Sequence, residues 1–122
     1  MTIGNINVTI IKMAEYEIKE YVREDSSPFG NWFSALDSIA ASKVTSALYR
    51  LQYGNFSNVR SVGSGVSEYK VDFGPGYRIY FGQHGNTLII LLIGGTKKTQ
   101  NTDIEKAKTF WREYKARKKK GG

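Results

Sequence analysis

The sequence predicts an α+β fold: an antiparallel sheet with a two-helix hairpin on one face, followed by a C-terminal helix. Apolar residues recur at helical spacing between positions 28 and 51, then alternate at period two from Val66 to Phe81. Beyond a glycine-containing segment, Thr102-x-x-Glu105 has capping-box spacing and opens a last amphipathic stretch. At 122 residues the chain has one-domain length, and no repeat or linker divides positions 1–122.

Each element has its own local reason. Ile6, Val8 and Ile10 alternate with Asn5, Asn7 and Thr9, which reads as a strand within residues 1–14. Tyr16, Ile18 and Val22 form a second strand candidate that ends before Glu24-Asp25-Ser26. Ser27-Pro28 is a helix start, because serine caps free N–H groups and proline tolerates the first helical position. The helix is expected to run from about 28 to 38, with Phe29, Trp32, Phe33 and Leu36 on one face. Val44, Ala47, Leu48 and Leu51 mark a second helix that Gly54 terminates.

Residues 57–65 read as a loop, and sheet is expected from Val66. Tyr69, Val71 and Phe73 point one way, while Glu68, Lys70 and Asp72 point the other. Gly74-Pro75-Gly76 would close a hairpin pairing Phe73 with Tyr77, Asp72 with Arg78 and Lys70 with Tyr80. Gln83-His84-Gly85-Asn86 is a further turn, and the apolar run Leu88 to Ile93 suits a strand covered on both faces. Ile104, Ala107, Trp111 and Tyr114 form the buried stripe of the last helix. Residues 115–122 read as a basic disordered tail. One shared core is expected from Phe29, Trp32, Leu36, Leu48, Leu51, Ile79, Ile90, Leu92 and Trp111.

Composition narrows the chemistry. There is no cysteine and one histidine, so no thiolate site, His-based triad or His-rich metal centre is expected, and nothing calls for a cofactor. The longest apolar run is too short to span a membrane, and no basic-then-apolar leader opens the chain; a soluble cytoplasmic protein is expected. The net charge is +7: residues 1–60 balance six Lys/Arg against six Asp/Glu, whereas residues 61–122 hold twelve against five. Such asymmetry points to an anionic partner, either nucleic acid or an acidic protein.

Four side chains share the predicted polar sheet face: Lys70, Asp72, Arg78 and Tyr80. Arginine forks onto phosphate and tyrosine offers a stacking surface, which suits a phosphate or nucleotide site. The same four also suit a solvent-facing strand pair with an Asp72–Arg78 ion pair, and spacing alone does not choose. Gly94-Gly95-Thr96-Lys97-Lys98 could present N–H groups and charge to an anion, but lacks Walker spacing. On the last helix Lys108, Arg112, Lys115 and Lys119 fall within a narrow arc, either an electrostatic footprint or a solvated face; Arg117 lies opposite. His84 is the chain's one imidazole, in a turn where histidines are usually bystanders.

EYKVDFGPGYRIYF and LIILLIGGTKKTQNTDIEKAKTFWREY, with YEIKEYV, SSPFGNWFSALD and LYRLQYGNFSNV upstream, resemble the RelE/ParE superfamily of type II toxin–antitoxin toxins. Within it the resemblance is to the HigB-like branch, the addiction module killer proteins. It covers roughly Glu15 to Lys115 and leaves residues 1–14 and the KARKKKGG end outside. It implies a microbial-ribonuclease-like (RelE-like) fold and a ribosome-dependent, metal-independent endoribonuclease, or mRNA interferase, that inhibits translation. It also implies a cognate antitoxin with a helix-turn-helix domain and a toxin–antitoxin hetero-oligomer. Position by position, Arg78 matches the phosphate-stabilising arginine, Lys70 a basic residue near the ribose 2′-hydroxyl, and Lys97 and Lys98 the basic loop. Tyr80, Lys108, Arg112 and Lys115 would contact RNA. Asp72 stands where strong ribonucleases of the superfamily often carry a second cation, and the C-terminal tyrosine of some members has no clear equivalent. A ParE-like inhibitor of DNA gyrase and a non-catalytic nucleic-acid-binding module are the alternatives.

Overall fold

In the computed structural model, residues 15–120 are described, together with two short strands, β1 (Thr2–Ile3) and β2 (Ile6–Asn7), paired antiparallel. Val8 and Ile10, the rest of the expected N-terminal alternation, lie outside the described residues. The remaining elements are β3 (Glu17–Glu20), α1 (Pro28–Ser34), α2 (Ser38–Gln52), β4 (Val59–Gly63), β5 (Val66–Val71), β6 (Tyr77–His84), β7 (Leu88–Thr96) and α3 (Gln100–Lys119). A single 3-10 turn, Lys97–Thr99, joins β7 to α3.

The five-stranded sheet has the order β3-β7-β6-β5-β4. It is mixed rather than antiparallel, because β3 runs parallel to β7, with Ile18 opposite Ile89. That arrangement becomes available because α1 and α2 form a long connection between β3 and the meander β4–β7, freeing β3 from any hairpin constraint.

Helix α1 begins as expected, with Ser27 accepting from the Gly30 N–H at 2.8 Å. It ends at Ser34, short of Leu36, because Asp37 caps a new helix by accepting from the Ala40 N–H at 2.8 Å. Helix α2 closes where Gly54 takes φ +81°. The segment read as a loop contains β4, which turns into β5 through Ser64 and Gly65, both at positive φ.

The β5–β6 connection is five residues rather than three. Gly76 N–H donates to the Phe73 carbonyl inside the loop, so Val71 pairs with Tyr77, Lys70 with Arg78 and Glu68 with Tyr80. The register differs from expectation by two residues, an even shift, so the paired side chains keep their predicted faces while their partners change, and Asp72 and Phe73, expected in the strand, fall in the loop.

Two apolar layers sandwich the sheet in place of one shared core. On one face Phe29, Val44 and Leu51 pack onto Tyr69, Ile79, Phe81, Ile89 and Leu91, with Trp32, Leu36 and Leu48 partly buried around them. On the other, Ala107, Phe110 and Trp111 of α3 cover Tyr21, Val66, Tyr80, Ile90 and Leu92. Alternation along the β7 apolar run divides it between the layers. Two glycines let helices approach: a Cβ at Gly82 would lie 2.6 Å from the Trp111 ring, and one at Gly94 would enter the Trp32 ring. Gly94 and Gly95 are therefore paired strand residues rather than a loop poised to bind an anion.

Thr102 lies inside α3, which starts at Gln100 after Thr99. The helix continues to Lys119, so positions 115–119 are helical rather than a disordered tail. No helix among the described residues is long and apolar enough to cross a membrane.

Candidate functional site

A cleft of about 580 Å³ opens where β4, β5 and β6 meet the start of α3. Arg60 reaches it from β4, Glu68 and Lys70 from β5, Arg78 from β6, Gln100 from α3 and Asp72 from the β5–β6 loop; Ser57 and Asn58 also line it. Alternation along β5 and β6 aims these side chains away from the α1–α2 layer. The α3 layer covers only part of that face and leaves this corner open.

Glu68 organises the cleft. Its carboxylate accepts from Arg60 Nε at 2.8 Å, Tyr80 Oη at 2.9 Å and Gln100 Nε2 at 2.8 Å. Arg78 Nε forms an ion pair with it at 3.8 Å. Burial pushes the Glu68 carboxyl upward, but the hydrogen bonds from Arg60, Gln100 and Tyr80, with the charge of Arg60, outweigh this and hold it below its ordinary range. A carboxylate with this many donors is a poor proton acceptor, so its role is to hold cations in place. Its grip in turn pushes the Arg60 guanidinium up.

Arg78 is 5% exposed. Its Nη1 donates to the Gly76 carbonyl at 2.7 Å, and among the described residues no group accepts a hydrogen bond from its buried Nε. It is thus a buried, positioned charge at the cleft wall, not the surface residue that strand alternation suggested. Its ion-pair partner is Glu68; Asp72 lies past the paired end of β5, within the loop. Lys70 stands opposite Arg78 in the ladder and is exposed. Arg78 and Lys70 therefore meet in one site.

The other expected residues are placed differently. Tyr80 is fully buried beneath the cleft, with its hydroxyl on Glu68, so its ring has no face open for a base. Burial first, and then Glu68, push its phenol above the ordinary range. Lys97 and Lys98 are exposed on the 3-10 turn and do not line the cleft, although Lys97 N–H shares the Gly76 carbonyl with Arg78. Lys108, Arg112 and Lys115 follow α3 away from the cleft. Lys115 Nζ lies 5.7 Å from the Trp111 ring centroid, and Arg112 donates to Thr109 Oγ1 at 3.2 Å. His84 Nδ1 lies 2.8 Å from Tyr114 Oη, a contact that ties the β6–β7 turn to α3.

Arg60 and Gln100 escape the sequence reading, and Glu68 enters it only as a base or an ordinary strand residue. Arg60 was hidden because β4 was read as loop, although the Ser64-Gly65 pair is a hairpin signal. Glu68 was visible on the polar face but indistinguishable from an ordinary strand residue. Gln100 carried no signal, since only the tertiary fold brings α3 to the sheet.

Comparison with known proteins places this cleft within a recognised sequence unit. A protein of Haemophilus influenzae described as uncharacterized is 42% identical over 86 residues, which is 70% of this chain and 87% of that protein. The family model for phage-derived Gp49-like proteins (DUF891) matches residues 31–115, a span that holds every residue lining the cleft. With well over half of its length matched, the chain belongs to the phage-derived Gp49-like (DUF891) protein family.

Proposed function

We propose that this protein is the toxin of a toxin–antitoxin module, and that it cuts messenger RNA at the ribosome as a metal-independent endoribonuclease. The toxin-like character of the Gp49-like family supports the first part. The second rests on one observation: Arg78 is a buried, anchored cation at the wall of an open cleft.

In the proposed reaction the ribose 2′-oxygen bonds to the adjacent phosphorus and the bond to the 5′-oxygen breaks. The 2′-hydroxyl loses its proton and the departing 5′-oxygen gains one, leaving a cyclic phosphate and a free 5′-hydroxyl. Negative charge builds on the phosphate as this happens, and a preorganised cation stabilises it without reorganisation. Arg78 takes that role; Lys70, opposite it, adjoins the 2′-hydroxyl. Lys97 and Lys98 steer the strand from outside the cleft, and Lys108, Arg112 and Lys115 attract the ribosome's RNA at longer range. Glu68 is a positioning residue that fixes Arg78 and Arg60.

A purely binding activity, such as gyrase inhibition, is favoured by a different observation. Glu68 and Asp72 set two carboxylates against the cations Arg60, Lys70 and Arg78, leaving a small surplus of charge. Growth arrest on expression separates the two readings. Arg78→Ala is expected to relieve arrest while retaining co-purification with the protein of the adjacent small gene; arrest that persists with a folded Arg78→Ala protein contradicts the ribonuclease reading.

A further inference from the structure

We infer that a second groove, bordered by Lys43, Arg50 and Phe73, carries single-stranded RNA onward from the Arg78 cleft as a phosphate-binding extension. This rests on the ribonuclease reading of that cleft and adds the path of its substrate.

The groove, about 250 Å³, runs between α2 and the β5–β6 loop and shares Asn58, Lys70 and Asp72 with the cleft. A chain lying across Lys70 would therefore enter both. The helix wall is cationic by composition: from Ser38 to Gln52, α2 contains Lys43 and Arg50 and no acidic residue. Seven residues is about two helical turns, so both cations stand on one side of the helix. Among the described residues, no ion pair involves Lys43, Arg50 or Lys70, leaving their charges available to an anion.

Phe73 supplies the second component. It is 38% exposed, and Lys43 Nζ lies 5.0 Å from its ring centroid. An exposed aromatic ring between backbone-tracking cations is the arrangement that binds single strands, stacking a base while charge holds phosphate. Lys108, Arg112 and Lys115 make the rival track, but none lines the cleft or the groove.

Fluorescence anisotropy with labelled, uncleavable 2′-O-methyl RNA, as a dinucleotide and a decanucleotide across a salt series, tests this. The double variant Lys43→Gln/Arg50→Gln should bind the decanucleotide more weakly, with its log–log salt slope reduced by about 1.4, the value for two lost single-strand phosphate contacts. Dinucleotide binding should be unchanged, and Lys43→Arg/Arg50→Lys should restore the slope. Arg78→Ala should weaken both ligands. An unchanged decanucleotide affinity and slope in the folded glutamine variant overturns the groove, also if that variant instead loses its antitoxin, which would make this face a protein-docking surface. If wild type binds neither RNA, the ribonuclease reading fails and the groove with it. If only the groove variant loses affinity and Arg78→Ala does not, the groove stands and the cleft assignment fails.

Discussion

Glu68 has a buried carboxylate with donors from three elements and an arginine beside it, so its replacement should be felt in both stability and function. Removing one partner of a buried ion pair typically costs about 3–5 kcal/mol, and Glu68→Ala is expected in that range by urea denaturation. Because its folded pKa is lowered, the stabilisation is fully present above the ordinary carboxylate pKa of about 4.3 and is lost as pH falls through the folded value. Acid titration of stability should therefore be shallower in Glu68→Gln than in wild type. Tyr80→Phe removes one donor to Glu68 from a fully buried ring and should cost about 1–3 kcal/mol, with RNA binding retained. A loss of RNA affinity without loss of stability would return Tyr80 to the surface role that strand alternation suggested. Alternation did place Glu68, Lys70 and Arg78 on one face; it could not report burial, which depends on where α3 crosses.

At the scale of elements, α3 is fastened to β3 and the residues that follow it. Tyr21 Oη donates to Glu113 at 2.6 Å, Arg117 donates to Tyr21 Oη at 2.9 Å and to the Val22 carbonyl at 2.6 Å, and Arg23 pairs with Glu113. These contacts explain why the last basic turns are helical although their composition reads as tail. Burial and the hydrogen bond to Glu113 push the Tyr21 phenol up to about 12. Its contribution is thus present below the unfolded value near 10 and is lost as pH rises through about 12. Tyr21→Phe should flatten stability between those limits, measured by thermal melts in alkaline buffers. Trp111 fills the space above Gly82, so Trp111→Ala should cost about 3–5 kcal/mol, while the half-buried Trp32 should cost less. The helices and β5–β7 were legible because their periodicities are strong. The short α1, the strand β4 and the parallel pairing of β3 were not, since a cap at Asp37, a two-residue turn and a ladder between strands about seventy residues apart decide them.

For the whole molecule, the charge excess of the second half lies on the 3-10 turn and along α3, outside a cleft whose own small surplus comes from Arg60, and association with RNA should weaken steeply with salt. The cleft joins residues 57–100, a separation that local pattern cannot bridge; alternation brought Glu68, Lys70 and Arg78 to one face, and the fold added Arg60 and Gln100. The account centres on Arg78 as the charge that stabilises a cleaving phosphate. It is tested most directly by mapping RNA 5′ ends on translating ribosomes with purified wild type and Arg78→Ala, with gyrase supercoiling measured in parallel. Wild type should create new 5′-hydroxyl ends in messages, and a folded Arg78→Ala should create them about 10²–10³ more slowly. Gyrase inhibition without message cleavage, or cleavage undiminished in Arg78→Ala, would contradict it.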